Sequence, residues 1–345
     1  MRRRLLPRER IAAAIAYRQP DIVPLRVLPA AGGLHEHGAR LVDLIRRCGH
    51  DFGPLDDVAI PPQPPLTDFD PDGRYHAIRT DDWGTTWEFR IFGVWGHPIR
   101  RPLDDWANLA TFRPPAPPGP PTPDQVAACA SHRQRFYHLT GWGSIFEKMH
   151  SVRRFEDVLI DLAEDNAHIN RLGDVLVEHA LADVQRAIAL GADGINFGDD
   201  FGTQTAAIVS PAVWRRFFKP RYATLFEPIR RAGRHISFHS CGQIGELLDD
   251  FRELGVDVLW PQLTAFDLPD LARRCRQLGL AVELHPDRGD LMQHATPASI
   301  RDYVRRIIDI FDTPAGGSWL YIEIDPGFAW PNVEALFEVA MQLRG

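Results

Sequence analysis

Short apolar runs alternate with stretches of helical periodicity over most of the 345 residues of this chain. From residue 136 onward the apolar runs show no clean alternation of polar and apolar positions, which is typical of parallel strands covered on both faces. About eight strand–helix units can be counted, and that number favours a closed (β/α)8 TIM barrel over an open sheet. An open doubly wound sheet more often carries an early glycine-rich phosphate loop, which the sequence lacks.

The predicted strands are short and mostly apolar, and the predicted helices between them begin and end at ordinary helix signals. Ser210-Pro211 has the pattern of a cap followed by proline in the first turn, and Gly233 stands where the following helix would end. The strands are predicted at 22–28, 56–60, 136–141, 194–199, 236–241, 257–263, 281–286 and 319–324. The helices are predicted at 155–190, 210–232, 243–254, 267–278, 296–312 and 332–343.

Residues 61–125 differ in composition from the rest of the chain. The run "DDWGTTWEFRIFGVWGHPI" predicts a β-hairpin, and the proline-rich segment 112–124 predicts a stiff connector. We interpret both as an excursion over one face of the barrel, within a single domain that spans residues 1–345. The early run "RERIAAAIAY" predicts an amphipathic helix that extends the barrel at its N-terminus.

The composition argues against several classes of protein. A net charge of -7 and a pI of about 6.0 argue against nucleic-acid binding, which needs a basic face. Four widely spaced cysteines without a CxxC motif do not form a disulfide framework and fit a reducing cytosol, so we expect a cytoplasmic protein. We find neither a signal peptide nor a run of about 18 apolar residues, and no membrane association is expected.

The run "FHSCG" at 238–242 ends an apolar stretch and precedes a helical pattern. In a strand, residues i and i+2 point to the same face, so His239 and Cys241 would lie side by side at the carboxyl end of a strand. Active sites of TIM barrels are built at that end. Imidazole and thiolate are both zinc ligands, so the pair is a candidate metal site. A buried cysteine beside a hydrogen-bonded core histidine is the structural alternative.

A zinc site needs a third protein ligand, and the last predicted strand, "WLYIEID", provides Glu323 and Asp325 at its end. In a closed barrel all strand ends converge on one mouth, so a carboxylate from the eighth strand can reach a site on the fifth. We therefore predict His239, Cys241 and Glu323 as metal ligands. Capping a helix or bonding to a loop is the alternative role for the two acids.

A second acidic cluster, "NFGDDFGTQ" at 196–204, follows another predicted strand. Asp199 and Asp200 are candidate catalytic residues, either as a general base or as groups that hold a substrate. Adjacent carboxylates on an extended chain point to opposite sides, so at most one faces the mouth unless the chain bends at Gly198 or Gly202. The alternative is a helix N-cap or a partner of local backbone amides.

Further polar residues stand at or just after the ends of other predicted strands and form a polar ring at one end of the barrel. Each of them taken alone is more typical of a structural residue. We predict that these residues of the ring, Glu147, Gln262 and His285, bind substrate together with Gln204 of the acidic cluster.

Over nearly its whole length the chain resembles the uroporphyrinogen decarboxylase superfamily. The most specific stretch begins at "GDDFGTQTAAIVSPAVWRRFFKPRY" and ends at "FHSCGQIGELLDDFRELGVDVLWPQL". The run "RERIAAAIAYRQPDIVPL" resembles the N-terminal helix and first strand of that superfamily, and "ATPASIRDYVRRIIDIF" resembles one of its last helices. The hairpin and the connector resemble those of its bacterial members outside haem synthesis. The resemblance implies a TIM barrel.

The resemblance implies two alternative activities. Haem-pathway decarboxylases use no metal or cofactor, and they hold a tetrapyrrole with an arginine-containing segment after the first strand. The corresponding segment here, "RVLPAAGGLHEHGARL", contains Arg26 and Arg40 but not the usual paired arginines. Corrinoid-dependent methyltransferases bind zinc through a His-x-Cys pair on the fifth strand and a third ligand on the last strand, often cysteine. His239 and Cys241 match that pair, and Glu323 stands in the region of the third ligand.

Resemblance to the methyltransferase branch implies zinc and a corrinoid (cobalamin) carried by a separate partner protein. The methyl group would move between that corrinoid and a small thiol, methoxy or methylamine substrate, which Asp200, Gln204 and Glu147 would orient. The superfamily also implies a homodimer. The alternatives are a cofactor-free decarboxylase acting on a tetrapyrrole and a non-catalytic protein that binds a corrinoid or a tetrapyrrole.

Overall fold

The computed structural model describes residues 4–345. In this part of the chain, seven parallel strands form one curled sheet and three antiparallel strands form a second, smaller sheet. The strands are β1 (Leu25–Leu28), β2 (Ala77–Thr80), β3 (Thr86–Phe89), β4 (His97–Arg100), β5 (Leu139–Gly143), β6 (Gly194–Gly198), β7 (His235–Ser240), β8 (Val258–Pro261), β9 (Ala281–Leu284) and β10 (Ser318–Glu323).

Thirteen α-helices and five short 3-10 helices lie within residues 4–345. In the same range, no helix combines the length and the hydrophobicity needed to cross a bilayer. The α-helices are α1 (Pro7–Ile15), α2 (Ala31–His37), α3 (Ala39–Cys48), α4 (Pro123–His132), α5 (Phe146–Val152), α6 (Phe155–Glu164), α7 (Ala167–Leu190), α8 (Pro211–Arg231), α9 (Leu248–Leu254), α10 (Leu268–Leu278), α11 (Asp290–His294), α12 (Pro297–Ile310) and α13 (Trp330–Gln342). The 3-10 helices are Leu66–Asp68, Trp106–Ala110, Gly245–Leu247, Leu263–Ala265 and Thr313–Ala315.

The strands of the large sheet stand in the order β1-β10-β9-β8-β7-β6-β5, which is the order met on walking around the wall of a barrel. Every neighbouring pair is parallel, and helices fill the connections between β5 and β10. Strands β1 and β10, the first and last in the chain, pair directly, with Leu25 opposite Leu320. The prediction of an α/β fold of the TIM-barrel type is confirmed.

An irregular segment takes the place of the eighth strand between β1 and β5. The backbone N–H of Asp51 donates to the carbonyl of Leu25 at 2.9 Å, and the carbonyl of Asp51 accepts from Tyr137 at 3.1 Å. The predicted strand at 56–60 is wrong, because these residues form a turn and a largely exposed loop just after Gly53-Pro54. Proline cannot donate a hydrogen bond to a sheet, which discourages a strand there.

The predicted helix at 155–190 is divided into α6 and α7 in the structure. Asp165 between them has a left-handed backbone with φ of 55°. The side chain of Asn166 accepts from the backbone N–H groups of His168 and Ile169, both at 3.0 Å. Asparagine in this role begins a new helix. The other predicted helices and strands overlap the observed ones.

Helix α1 closes the amino-terminal end of the barrel. Its residues Ile11, Ala14 and Ile15 form a buried cluster with Val258 and Trp319, which stand at the starts of β8 and β10. Burial of apolar side chains between a helix and the strand ends stabilises this arrangement. The carboxyl ends of the strands are therefore the open mouth of the barrel.

The small sheet lies beside α5, near the mouth. The hydroxyl of Thr85 donates to the carbonyl of Ser151 at 2.9 Å, and the N–H of Leu103 donates to Val152 at 2.9 Å. The sequence predicts a hairpin here, and the structure adds β4 as a third antiparallel strand. The insert is thus tied to a helix that begins at the barrel mouth.

Asp193, at the amino end of β6, joins both α1 and α4 to the barrel through Arg8 of α1 and Arg133 just after α4. Its carboxylate accepts from Arg8 at 2.8 Å, from Arg133 at 2.9 Å and from the backbone N–H of His138 at 3.1 Å. Burial alone would raise the pKa of Asp193, but the hydrogen bonds from the two arginines bring this pKa below its ordinary value.

We expect this cluster to make the stability of the protein fall at acidic pH. Because the pKa of Asp193 is lower in the folded chain than in the unfolded chain, its stabilisation is complete above about pH 4 and is lost as the pH falls through the folded pKa. Asp193→Asn should therefore be less stable than the wild type at neutral pH, and the difference should shrink on acidification. Urea unfolding at a series of pH values measures the difference in unfolding free energy between wild type and variant. A difference that stays constant with pH would contradict the expectation.

Candidate metal and substrate site

Three side chains with metal-ligating atoms meet at the barrel mouth. Asp200, His239 and Cys241 each present one ligand atom, and these atoms lie within 4.8 Å of one another. The Sγ of Cys241 lies 3.4 Å from Nε2 of His239, and Oδ1 of Asp200 lies 3.4 Å from the same nitrogen. The three residues come from the carboxyl ends of β6 and β7, which are neighbours in the sheet.

The imidazole of His239 is oriented by the neighbouring strand β8. Its Nδ1 lies 2.9 Å from the carbonyl oxygen of Trp260. Because a carbonyl can only accept, Nδ1 carries the proton, and the lone pair of Nε2 faces Asp200 and Cys241. Burial lowers the pKa of His239, which favours the neutral imidazole that a metal requires.

Cys241 is half-buried beside a carboxylate. Burial raises the pKa of its thiol to about 12, and the negative charge of Asp200 adds to the rise. The sulfur therefore carries a proton when no cation is bound. A bound divalent cation favours the thiolate instead.

Asp200 supplies the carboxylate of the group. Its side chain is 41% exposed, and its Oδ1 accepts from the backbone N–H of Cys241 at 2.7 Å. One imidazole nitrogen, one sulfur and one carboxylate oxygen are ligands that zinc takes in catalytic sites, with a fourth position open. The atoms present and their spacing therefore fit a zinc ion.

Glu323, the predicted third ligand, lies outside the group of three within the part of the chain that the structure describes. Its carboxylate accepts from the hydroxyl of Tyr321 at 3.0 Å and lies 3.9 Å from Nη1 of Arg288. Arg288 also pairs with Asp325, the other acid of that strand end. The structure thus differs from the prediction, because Arg288 holds both acids and the carboxylate beside His239 belongs to another strand.

Asp199 is fully buried behind Asp200. Its carboxylate accepts from the backbone N–H groups of residues 145–147 at distances between 2.7 and 3.0 Å, and from the hydroxyl of Tyr222. Burial raises the pKa of Asp199 to about 7, while these hydrogen bonds act against the rise. The carboxylate therefore caps α5. Adjacent side chains alternate, so Asp199 points away from the mouth while Asp200 faces it, and the catalytic role of Asp199 stays a prediction.

Glu147 is positioned by this cap at the start of α5. Its Oε1 accepts from the backbone N–H of Asp200 at 3.4 Å, and its Oε2 lies 3.1 Å from Nε2 of His150. Burial alone would raise the pKa of Glu147, but the hydrogen bonds from His150 and from the backbone N–H of Asp200 bring it below its ordinary value. The side chain is therefore a carboxylate at neutral pH.

Gln262 and Gln204 support the loop of Cys241, whereas His285 packs against rings of the neighbouring strands β8 and β10. The Oε1 of Gln262 accepts from the N–H of Gly242 at 3.0 Å, and an amide contact of 3.4 Å joins Gln262 to the exposed Gln204. His285 packs against two aromatic rings, with centroid distances of 5.7 and 4.5 Å. Burial lowers the pKa of His285 well below its ordinary value, so it is neutral.

A cavity of about 450 Å³ opens beside the metal-ligand group. Asp200 and His239 line it, so a molecule in the cavity would contact two of the three candidate ligands. The small sheet contributes two tryptophans to the same space. The lining consists of Trp87, Trp95, Trp142, Ser144, Glu147, Lys148, Ser151, Gly198, Asp200 and His239.

Sequence reasoning missed the tryptophans of this cavity, although the sequence carries a signal for them. Trp95 in "GVWGHP" and Trp142 in "GWGS" both stand next to glycines, in segments too irregular for ordinary core packing. Gly198 makes room for Trp142, since a Cβ added at Gly198 would lie 2.2 Å from that ring.

The loops that carry Asp200 and Cys241 touch through two glycines. A Cβ added at Gly242 would lie 2.1 Å from the carbonyl carbon of Gly202, and Gly242 itself has φ of 75°. The N–H of Gly202 also donates to the carbonyl of Cys241 at 3.1 Å. Because no side chain intervenes, the two loops approach closely enough to place the carboxylate beside the thiol and the imidazole.

The model of the family described as uroporphyrinogen decarboxylase (URO-D) matches residues 96–340. That range contains all three candidate metal ligands and every strand of the large sheet except β1. The chain belongs to the uroporphyrinogen decarboxylase family. Its candidate ligand group therefore lies within the part that identifies it as a URO-D family member.

A uroporphyrinogen decarboxylase from Thermus thermophilus is 37% identical to this URO-D family chain over 108 residues. The matched segment covers 31% of this chain and 30% of that relative. A methyltransferase from Methanosarcina mazei has a solved structure that aligns over 98% of this chain and 99% of its own, with a TM-score of 0.59 and 14% sequence identity. At that identity the likeness extends to the fold and no further.

Proposed function

We propose that this URO-D family member is a zinc-dependent methyltransferase that moves a methyl group between a small substrate and a corrinoid carried by a partner protein. The observation that carries the proposal is the group of Asp200, His239 and Cys241 at the barrel mouth. The fold shared with the Methanosarcina mazei methyltransferase supports it.

The three side chains would hold zinc, which when bound supplies a Lewis acid that stabilises a thiol as thiolate near neutral pH. His239 is ready to bind through Nε2, because the carbonyl of Trp260 keeps the proton on Nδ1. Cys241 would release its proton as the cation binds. Asp200 would contribute a carboxylate already fixed by the backbone N–H of Cys241.

The cavity beside these ligands would receive the small substrate, a thiol or a methoxy or methylamine compound. Glu147 would orient it while Asp200 holds the zinc, and the tryptophans of the small sheet would restrict the access of water. The partner protein would approach from the mouth, since α1 fills the other end of the barrel.

A cofactor-free decarboxylase acting on a tetrapyrrole is the second candidate, favoured by the matched family model and by the Thermus thermophilus relative. It would require arginines after β1 that are available to substrate carboxylates. Arg26 instead pairs with the buried Glu283 at 3.0 Å, and Arg40 lies over the ring of Trp330 at 4.1 Å. Because both arginines already have partners, the geometry favours the methyltransferase.

Metal analysis of wild-type protein purified without added metal is expected to find about one zinc ion per chain. Cys241→Ser should lower the zinc content after dialysis by about tenfold or more, because a sulfur ligand is lost. Cys48→Ser, which changes a half-buried cysteine at the end of α3, is the matched control and should keep the wild-type content.

Two further variants tell the candidate carboxylates apart. Asp200→Ala should lose zinc to a similar extent, and Glu323→Gln should retain it, because Glu323 contacts Tyr321 and Arg288 instead. A wild type without zinc, or equal zinc in Cys241→Ser, would overturn the proposal. Turnover of uroporphyrinogen that survives both chelation and Cys241→Ser would support the decarboxylase.

A further inference from the structure

We infer that the small molecule bound in the cavity carries a positively charged ammonium head, as in a methylated amine or an amino thiol. The reaction it undergoes rests on the proposed function, whereas its binding rests on the cavity alone. Aromatic faces and carboxylates meet there in one half-enclosed space.

Two tryptophan rings in the cavity are largely exposed. Trp95 is 74% exposed and Trp142 is 54% exposed, although both are large apolar side chains. The buried Trp87 supports Trp95 from one side, with ring centroids 5.3 Å apart. Exposed aromatic faces in a concave site are typical of ligand contact surfaces. A cation within about 6 Å of a tryptophan face is attracted by the ring quadrupole.

The backbone is shaped to bring Trp142 close to the candidate metal ligands. Only glycine at position 198 leaves space for the Trp142 ring, since a Cβ there would lie 2.2 Å from it. The ring centroid of Trp142 lies 5.9 Å from that of His239. An ammonium head against Trp142 would therefore place the rest of a small molecule within reach of His239 and Asp200.

The charged groups that line the cavity favour a cation. Glu147 and Asp200 are both acidic, and Lys148 is the one lysine or arginine in the lining. The ammonium of Lys148 lies 4.7 Å from the ring of Trp83, which already provides it with an aromatic partner. An anionic head group would face two carboxylates. When zinc takes Asp200, Glu147 remains as the counter-ion of an ammonium head.

Calorimetric titration with choline and with its uncharged isostere 3,3-dimethylbutan-1-ol tests the inference. The two probes share a shape, so a difference in affinity reports the positive charge. Choline should bind about tenfold more tightly or better, both to the wild type and to Cys241→Ser freed of zinc. Equal affinity for the two probes, or no binding of either, would overturn the inference.

Variants of the lining locate the bound cation. Glu147→Gln and Trp142→Ala should each weaken choline binding by about tenfold, and Trp142→Phe should lose less because it keeps an aromatic face. Lys148→Met should leave choline binding unchanged or tighter. Glu227→Gln, on the exposed surface of α8, is the matched control and should bind as the wild type does. Unchanged choline binding in both Glu147→Gln and Trp142→Ala would place the bound cation outside this cavity and overturn the inference.

The same measurements separate this inference from the proposed function. Choline selectivity in a wild type that contains no zinc would remove the zinc chemistry and leave the ammonium site standing. About one zinc ion per chain, with no selectivity for choline, would remove the ammonium site and leave the zinc chemistry standing.

Discussion

Replacing Asp51 with alanine is expected to lower the free energy of unfolding by about 3–5 kcal/mol, the usual cost of removing one partner from a buried ion pair. The Asp51 carboxylate is fully buried. It accepts from Arg10, from Arg344 at 2.8 Å and from the backbone N–H of Leu25 at 2.9 Å. Arg10 keeps Asp21 as a partner at 2.7 Å, so the charge left unpaired is mainly that of Arg344.

The effect is large because this carboxylate closes the barrel where an eighth strand is absent. It joins α1, β1 and the chain end beyond α13 at one point, through Arg10, Leu25 and Arg344. The carbonyl of the same residue accepts from Tyr137, just before β5, at 3.1 Å. Losing the side chain would therefore loosen both edges of the gap between β1 and β5.

Urea unfolding followed by circular dichroism measures this change. Asp43→Ala, which removes an exposed carboxylate of α3, is the control and should alter the unfolding free energy by less than about 0.5 kcal/mol. The loss of unfolding free energy in Asp51→Asn should lie between those of Asp51→Ala and Asp43→Ala. The amide oxygen of asparagine can still accept from Leu25, but the negative charge is gone. A loss below about 1 kcal/mol in Asp51→Ala would show that other contacts close the barrel.

The barrel wall could be predicted from the sequence because buried parallel strands remain almost uninterrupted apolar runs. The run 194–199 contains β6, and the run 236–241 overlaps β7. The strand period of two also indicates that His239 and Cys241 share a face, and the structure places their ligand atoms 3.4 Å apart. These features depend on residues close together in the chain.

The third candidate metal ligand and the closure of the barrel could not be predicted, because they depend on contacts between residues far apart in the chain. Asp200 stands just after the apolar strand β6 and Glu323 ends the apolar strand β10. Their different positions depend on Arg288 and on the contact between two loops. The missing eighth strand is a similar case. The run 56–60 ends in the apolar residues Val58, Ala59 and Ile60, but the barrel is closed by Asp51 and its ion pairs instead.

Gly242→Ala is expected to break the contact between the loops of Asp200 and Cys241. It should lower the free energy of unfolding by about 2–4 kcal/mol, because a left-handed backbone and an overlap with main chain are both imposed. The added Cβ would meet the carbonyl carbon of Gly202 at 2.1 Å, and backbone cannot move aside as a flexible side chain can. Affinity for the proposed zinc ion should fall by about tenfold or more, since Asp200 would be displaced from Cys241.

Gly233→Ala is the matched control for this variant. Gly233 also has a positive φ, 64°, but a Cβ added there meets nothing within 4 Å. It therefore reports the strain of the left-handed backbone alone, about 1 kcal/mol. Urea unfolding and zinc analysis of both variants then isolate the effect of the loop contact. If Gly242→Ala kept its zinc and lost no more stability than Gly233→Ala, the two glycines would not be what holds Asp200 beside Cys241, and the hydrogen bonds between the loops would suffice.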